Sequence, residues 1–163
     1  MRKIAFAFLF IAFLASCGTT TSVEKSISTV VSGEMLFSGP NSLQAAVSLS
    51  PASLAEELNI EASALKSVSV SSIQVTLSDE QAAIAESLLL QIVSNSNEMT
   101  SLGTLSPLEK GTRFDLNVAE ETDLLSFLED EGATWVLDIN LAEDIMDEMK
   151  ATVDLTITIH HKN

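Results

Sequence analysis

The C-terminal segment, residues 151–159, alternates apolar and polar side chains without interruption. Its apolar positions are Val153, Leu155, Ile157 and Ile159, and the positions between them carry threonine or aspartate. Because successive side chains of a strand point to opposite faces of a sheet, this period of two predicts a strand with one buried face and one solvated face. A fold that contains this strand must supply a sheet around it.

Two preceding segments repeat the same period. In residues 134–141, Trp135 falls among the inward positions and Val136 among the outward ones, and in residues 113–118 Phe114 falls on the inward face. Three such strands near the end of the chain predict an antiparallel sheet with one face in water. Trp135 alternates with aliphatic neighbours, so we predict a core residue rather than a ligand platform.

Earlier strands are predicted at residues 43–49 and 68–77, and weaker candidates are residues 27–37, 86–94 and 99–105. Within 68–77 the apolar phase changes across Ser71 and Ser72, which predicts a bulge or bend. Turn-forming residues cluster at Gly39-Pro40, 95–97 and 107–111. About eight short strands at this spacing predict an all-β fold, an antiparallel β-sandwich.

Two short helices are expected beside the strands. Residues 50–58 begin with a capping serine and a proline at the first helical position, and residues 122–132 end at Gly132. Ser78 to Gln81 also has the pattern of a capping box. For residues 78–93 we favour a turn followed by a strand from Glu86, with a helix as the alternative.

The N-terminal segment has the three parts of a signal peptide. Arg2 and Lys3 precede an apolar run at residues 4–14, which is shorter than the roughly 20 residues a transmembrane helix needs. Leu14-Ala15-Ser16-Cys17 follows and resembles the lipobox of bacterial lipoproteins. That resemblance implies a diacylglycerol thioether on Cys17 and removal of residues 1–16. Independently, Cys17 is the only cysteine, and an unpaired cysteine in an exported protein calls for such an explanation.

The domain organisation follows from that interpretation. Residues 1–16 are a predicted signal peptide, residues 17–22 a lipidated cysteine with a flexible tether, and residues 23–163 a single β-sandwich domain. Gly18 after the cysteine favours the outer membrane, by analogy with enterobacterial sorting. The order of elements in residues 111–159 is similar to that of small envelope lipoproteins of Bacteroidota type, a resemblance that implies no particular function.

The charge restricts the partners. The chain carries 23 acidic and 8 basic residues, a net charge of −15, and loss of Arg2 and Lys3 with the leader takes it to −17. Phosphate backbones and anionic headgroups repel such a protein, so we expect no nucleic-acid partner and a membrane attachment that is covalent. An envelope protein is the expected partner.

Acidic residues cluster beside predicted strand ends. Calcium takes 6 to 8 oxygen ligands, so converging loops could form a site, and the candidate ligands are Asp123, Asp130, Asp144 and Asp147. No Asp-x-Asp-x-Asp-Gly loop occurs, and solvated surface is the favoured interpretation. His160 and His161 would point to opposite faces of a strand, which argues against a shared zinc ion.

The chain contains no nucleophile elbow, no His-Glu-x-x-His sequence and no glycine-rich phosphate loop. We therefore predict a non-catalytic, membrane-tethered envelope lipoprotein with an interaction or structural role and no cofactor besides the covalent lipid. One alternative is a lipoprotein that binds calcium or a small solute. A less favoured one is a carboxylate-based hydrolase, since the mature chain has no tyrosine and one tryptophan to form a sugar platform.

Overall fold

The computed structural model describes residues 20–119 and 122–162. Nine antiparallel strands make up the sheet: β1 (Thr20–Gly33), β2 (Gly39–Ala46), β3 (Leu65–Thr76), β4 (Ala85–Val93), β5 (Thr100–Leu105), β6 (Arg113–Asp115), β7 (Asn117–Val118), β8 (Thr134–Leu141) and β9 (Met149–Lys162). Their order in the sheet is β6-β3-β9-β1-β2-β8-β4-β5-β7. The predicted all-β antiparallel fold is confirmed.

The two strands at the ends of that order are neighbours in the chain. Only Leu116 separates β6 from β7, and its N–H donates to the Ile73 carbonyl at 3.0 Å. β6 pairs with β3 and β7 pairs with β5, so one short segment joins both ends of the sheet. The sheet therefore folds over onto itself and is nearly closed around one core.

The core consists of the inward side chains of this sheet. Trp135 is 2% exposed, which confirms its predicted core position. Val136 was predicted to face outward into solvent, yet it is only 3% exposed. Its cross-strand partners are Gln44 on β2 and Gln91 on β4, and long side chains on both sides can cover a central-strand residue on the outer face.

The predicted bulge is confirmed, because the pairing of β3 with β9 shifts register between Val70 and Ser72. Two boundary predictions were wrong. Gly39 and Pro40 open β2 instead of forming a turn, and the reversal lies in residues 34–38. Residues 20–22, predicted as part of the tether, pair with residues 160–162 in the first positions of β1. Cys17 and the leader lie outside the described residues.

In the described part of the chain, three short helices connect the strands: α1 (Pro51–Leu58), α2 (Asp79–Ile84) and α3 (Leu125–Leu128), with a 3₁₀ turn at Ala62–Ala64. α1 has the predicted capping serine, Ser50, whose hydroxyl accepts from the Ser53 N–H. Among the described residues, β1 and β2 pair only at Ser32 and Gln44. Beside the part of β1 that does not pair with β2, the buried Leu54 of α1 joins the core.

The other two helices correct the prediction. Ser78 and Gln81 form the capping box of α2, so the expected turn is a six-residue helix, and β4 follows it directly from Ala85. The helix predicted at 122–132 is limited to the four residues of α3. Asp123 Oδ1 accepts from the N–H of Leu125, the first residue of α3, and Gly132 lies beyond the end of the helix with a φ of +94°.

β1 and β9 are the longest strands of the described sheet, with 14 residues each. They pair at every position from Thr20 with Lys162 to Gly33 with Met149. At about 3.3 Å per residue this ladder is roughly 43 Å long. Thr20, the first residue of β1, is therefore at one end. Residues 34–38 and 142–148, which we call the distal loops, are at the other.

Candidate functional site

The distal loops are joined to each other by backbone hydrogen bonds. The Leu36 N–H donates to the Ile145 carbonyl at 2.9 Å, and the Ile145 N–H donates to the Leu36 carbonyl at 2.8 Å. Beside this antiparallel bridge, the Ser38 N–H donates to Asp144 Oδ1 at 2.7 Å. The two loops thus form one continuous surface beyond the end of the β1–β9 ladder.

Asn41 of β2 fixes the backbone of the first loop. Its Oδ1 accepts from the Phe37 N–H at 2.9 Å, and its Nδ2 donates to the carbonyls of Phe37 and Gly39 at 2.6 and 2.8 Å. Met35 has a left-handed backbone with a φ of 51°, a conformation that asparagine and glycine adopt more readily. Such strain persists only where the surroundings determine the backbone, and here the Leu36 bridge and Asn41 do so.

Three large apolar side chains protrude from this surface. Met35, Phe37 and Met146 are 65%, 59% and 62% exposed, whereas Leu36 between the first two is buried in the core. The antiparallel sense of the bridge places Met35 beside Met146 and Phe37 beside Asp144. Single exposed apolar residues are ordinary, but a cluster on connected loops is typical of a binding surface.

The distal loops also carry carboxylates. All the acidic residues of the distal loops are exposed, and these are Glu34, Glu143, Asp144, Asp147 and Glu148. Residues 33–38 and 142–148 contain no lysine or arginine. The nearest cation along the chain, Lys150, forms an ion pair with Glu148 at 2.7 Å. The surface therefore combines apolar projections with a strongly negative potential.

The four predicted calcium ligands lie in different environments. Asp123 Oδ1 accepts from the N–H groups of Val68 and Leu125 at 2.9 and 3.0 Å, so it connects β3 to α3. Asp130 Oδ2 accepts from the Ser96 N–H at 2.6 Å. Asp144 and Asp147 share one distal loop. Within residues 20–119 and 122–162, no group of three or more His, Cys, Asp or Glu side chains is placed to hold a metal ion.

Asp130 lies where the turn at residues 94–97 meets the segment that follows α3. The backbone N–H of Ser96 and the side chain of Ser94 stabilise its charged form, and they hold the pKa of the Asp130 carboxyl below its ordinary value of 3.8. Asn95 donates to the Glu131 carbonyl across the same contact, at 2.7 Å. These bonds fix the turn at residues 94–97 against the segment that follows α3.

Carboxylates also lie on the outer face of the sheet, where Asp115 of β6 and Asp154 of β9 flank Gln74 of β3. Their backbones are two strand spacings apart, roughly 10 Å. The Gln74 amide donates to Asp115 at 2.8 Å. The rest of this surface is lined by serine and threonine together with Ile27, Ile73 and Leu155. A glutamine between the two carboxylates gives the hydrolase alternative no support.

The distal site was not predicted from the sequence. Met35 and Phe37 were expected at the end of a strand and Met146 had no predicted role, although two large apolar residues on either side of a leucine were a signal. His160 and His161 are consecutive residues of β9, so they point to opposite faces as predicted, and His161 is buried with its Nδ1 3.2 Å from the Lys162 carbonyl oxygen. Lipidation of Cys17 stays a prediction.

None of the helices in the described part of the chain is long and apolar enough to span a membrane. No protein-family model matches the sequence, and no curated protein does. Among solved structures, the empty head of turnip yellow mosaic virus aligns with 100% of this chain and 92% of its own, at 14% identity and a TM-score of 0.31.

A second structure of turnip yellow mosaic virus also aligns with 100% of this chain and 92% of its own, at 12% identity and a TM-score of 0.33. Desmodium yellow mottle tymovirus aligns with 88% of this chain and 90% of its own, at 11% identity and a TM-score of 0.33. With scores this low, none of these likenesses bears on the function of this chain.

Proposed function

We propose that this protein is a non-catalytic, membrane-tethered lipoprotein of the bacterial envelope that binds another protein through its distal loops. One observation carries the proposal: Met35, Phe37 and Met146 are exposed together on loops that hydrogen bonds already hold in place. A fixed apolar surface loses little conformational entropy when it binds, so it favours association. Reactive groups are not needed for this role.

The predicted anchor suits such a role. β1 begins at Thr20, only three residues after Cys17. A lipid on Cys17 therefore holds the proximal end of the β1–β9 ladder at the membrane and leaves the distal loops roughly 43 Å away. Two or more acyl chains give stable attachment, which one chain does not. With Gly18 after the cysteine, the outer membrane is the proposed location.

Lipidation can be tested by metabolic labelling with a palmitate analogue in a diderm bacterium. We expect the full chain to incorporate the label and to fractionate with membranes, and Cys17→Ala to lose both properties. A matched variant, Cys17→Ala with Ser22→Cys, keeps one cysteine but moves it out of the lipobox, and it should also lose the label. Label that persists in Cys17→Ala contradicts the proposal.

A further inference from the structure

We infer that the distal loops bind a cationic, amphipathic segment of another protein, one that presents lysine or arginine around an apolar face. This inference rests on the proposed function, since it names the partner class of the same site. The apolar cluster of Met35, Phe37 and Met146 fits an apolar face. The exposed carboxylates of the same loops fit cations beside that face, and only Glu148 among them already pairs with a described lysine. Electrostatic complementarity of this kind sets specificity and speeds association.

Two other occupants fit this surface less well. A second copy of the chain that docks through the same surface would bring like-charged carboxylates against one another, and such contacts oppose association. An anionic lipid surface is repelled for the same reason. In addition, the β1–β9 ladder separates this surface from the predicted anchor by roughly 43 Å.

The chemistry of the cluster indicates how selective binding should be. Two of its three side chains are methionines, whose unbranched, polarisable chains adapt to differently shaped apolar surfaces. The backbone beneath them is fixed by the Leu36–Ile145 bridge and by Asn41. We therefore expect recognition of a class of cationic amphipathic segments, with the carboxylates selecting the sign of the charge.

A binding titration tests the inference with the full lipidated chain in zwitterionic phosphatidylcholine nanodiscs, with empty nanodiscs as background. The probes are three fluorescent model peptides: an amphipathic leucine–lysine helix, the same pattern with glutamate for lysine, and a serine–lysine peptide without an apolar face. We expect the leucine–lysine peptide to bind at least tenfold more tightly than either of the others. Its dissociation constant should rise with salt.

Variants separate the apolar and the charged contributions. Met35→Ser with Phe37→Ser and Met146→Ser should weaken binding of the leucine–lysine peptide at least tenfold. Val30→Ser with Met99→Ser removes exposed apolar side chains elsewhere and should change it less than twofold. Glu143→Gln with Asp147→Asn should weaken binding of the leucine–lysine peptide and make it less dependent on salt. Asp79→Asn with Glu80→Gln removes the same amount of charge from α2 and should change neither the affinity nor its salt dependence.

Equal binding by the triple variant and the Val30/Met99 control would overturn the inference. So would tighter binding of the chain to phosphatidylglycerol vesicles than to the peptide, or self-association that the triple variant abolishes. The same titration on the Cys17→Ala chain keeps the two proposals apart. If the full chain takes up no lipid label but still discriminates among the peptides, the lipid tether is wrong and the docking surface stands. If the chain is labelled but does not discriminate among the peptides, only the docking surface is wrong.

Discussion

The backbones of Leu36 and Ile145 exchange two hydrogen bonds, of 2.9 and 2.8 Å, between a loop that follows β1 and a loop that precedes β9. The β1–β9 ladder ends at Gly33 and Met149, so this bridge continues the pairing beyond the sheet. The proposed docking surface is therefore a product of tertiary structure. Neither loop could present the apolar cluster alone.

The first prediction concerns the Asp144 side chain, which accepts from the Ser38 N–H at 2.7 Å. We expect Asp144→Ala to speed amide hydrogen exchange at Ser38 and Leu36 about fivefold, because an exposed hydrogen bond of about 1 kcal/mol is lost. Asp147→Ala is the control, since Asp147 accepts no hydrogen bond from any described residue. Equal acceleration in both variants would show that loop charge, and not this bond, orders the loop.

The second prediction concerns Gly103 on β5, where the sheet folds over. A Cβ there would lie 2.7 Å from Ile73 Cδ1 and 3.2 Å from the Asn117 carbonyl oxygen. We expect Gly103→Ala to lower the free energy of unfolding by about 1–3 kcal/mol, because the added methyl overpacks the contact. Urea denaturation followed by Trp135 fluorescence measures this, with Ser101→Ala on the exposed side of β5 as the control.

A second variant shows whether the Ile73 contact causes that loss. Ile73→Val removes Cδ1, so the double variant should be destabilised by less than the sum of the two single variants. Additive effects would show that the Asn117 backbone, and not Ile73, opposes the new methyl group. A stability of Gly103→Ala equal to that of Ser101→Ala would show that this part of the sheet is not closely packed.

The strands could be predicted from the sequence because their signal is local. Alternation at residues 134–141 and 151–159 identified β8 and β9, and the change of apolar phase at Ser71 and Ser72 located the bulge of β3. The capping box at Ser78 was also visible. The choice between turn and helix there was wrong because β4 begins immediately after Ile84, which leaves a helix too short to show a period.

The closure of the sheet and the distal site could not be predicted. Closure depends on Leu116, which lies between strands of three and two residues that pair with different neighbours, and the sequence shows only one alternating run there. The distal site depends on the contact of Leu36 with Ile145, which are far apart in the chain. Likewise, the sequence does not show which of the aspartates predicted as calcium ligands lie near one another, because that depends on how the loops fold.

The third prediction follows from the lowered pKa of Asp130. Because the folded state holds its proton less tightly than the unfolded state, the carboxylate stabilises the fold at pH values above 3.8. That contribution is lost as the pH falls through the lowered pKa. We expect Asp130→Asn to be less stable than the wild type near neutral pH and equally stable in strong acid, measured by urea denaturation across the range.

Glu129→Gln is the matched control for Asp130→Asn. Glu129 is the adjacent exposed carboxylate, and it accepts no hydrogen bond from the described residues. Its substitution removes the same charge but leaves the bond from Ser96 to Asp130 in place. If Glu129→Gln reproduces the pH dependence of Asp130→Asn, general charge repulsion explains both results and the Ser96 contact does not.

The last prediction separates charge screening from a calcium site. The full chain has a net charge of −15, so the folded protein repels itself, and salt should therefore raise its melting temperature. We expect millimolar calcium to raise it no further than sodium chloride at equal ionic strength. A site that binds calcium only in the folded state adds RT ln(1 + [Ca]/Kd), about 2.7 kcal/mol when calcium exceeds Kd a hundredfold.

A stabilisation of about 2.7 kcal/mol by calcium is large enough to distinguish a calcium site from charge screening. Asp144 and Asp147 are the only predicted ligands that share a loop, and Asp144 Oδ1 already accepts from the Ser38 N–H. A calcium ion there would need most of its 6 to 8 oxygen ligands from elsewhere. A calcium-specific rise in melting temperature that Asp144→Asn with Asp147→Asn abolishes would therefore make the distal loops a calcium-dependent surface. The cationic partner would then be wrong, because bound calcium reduces the negative charge that attracts it.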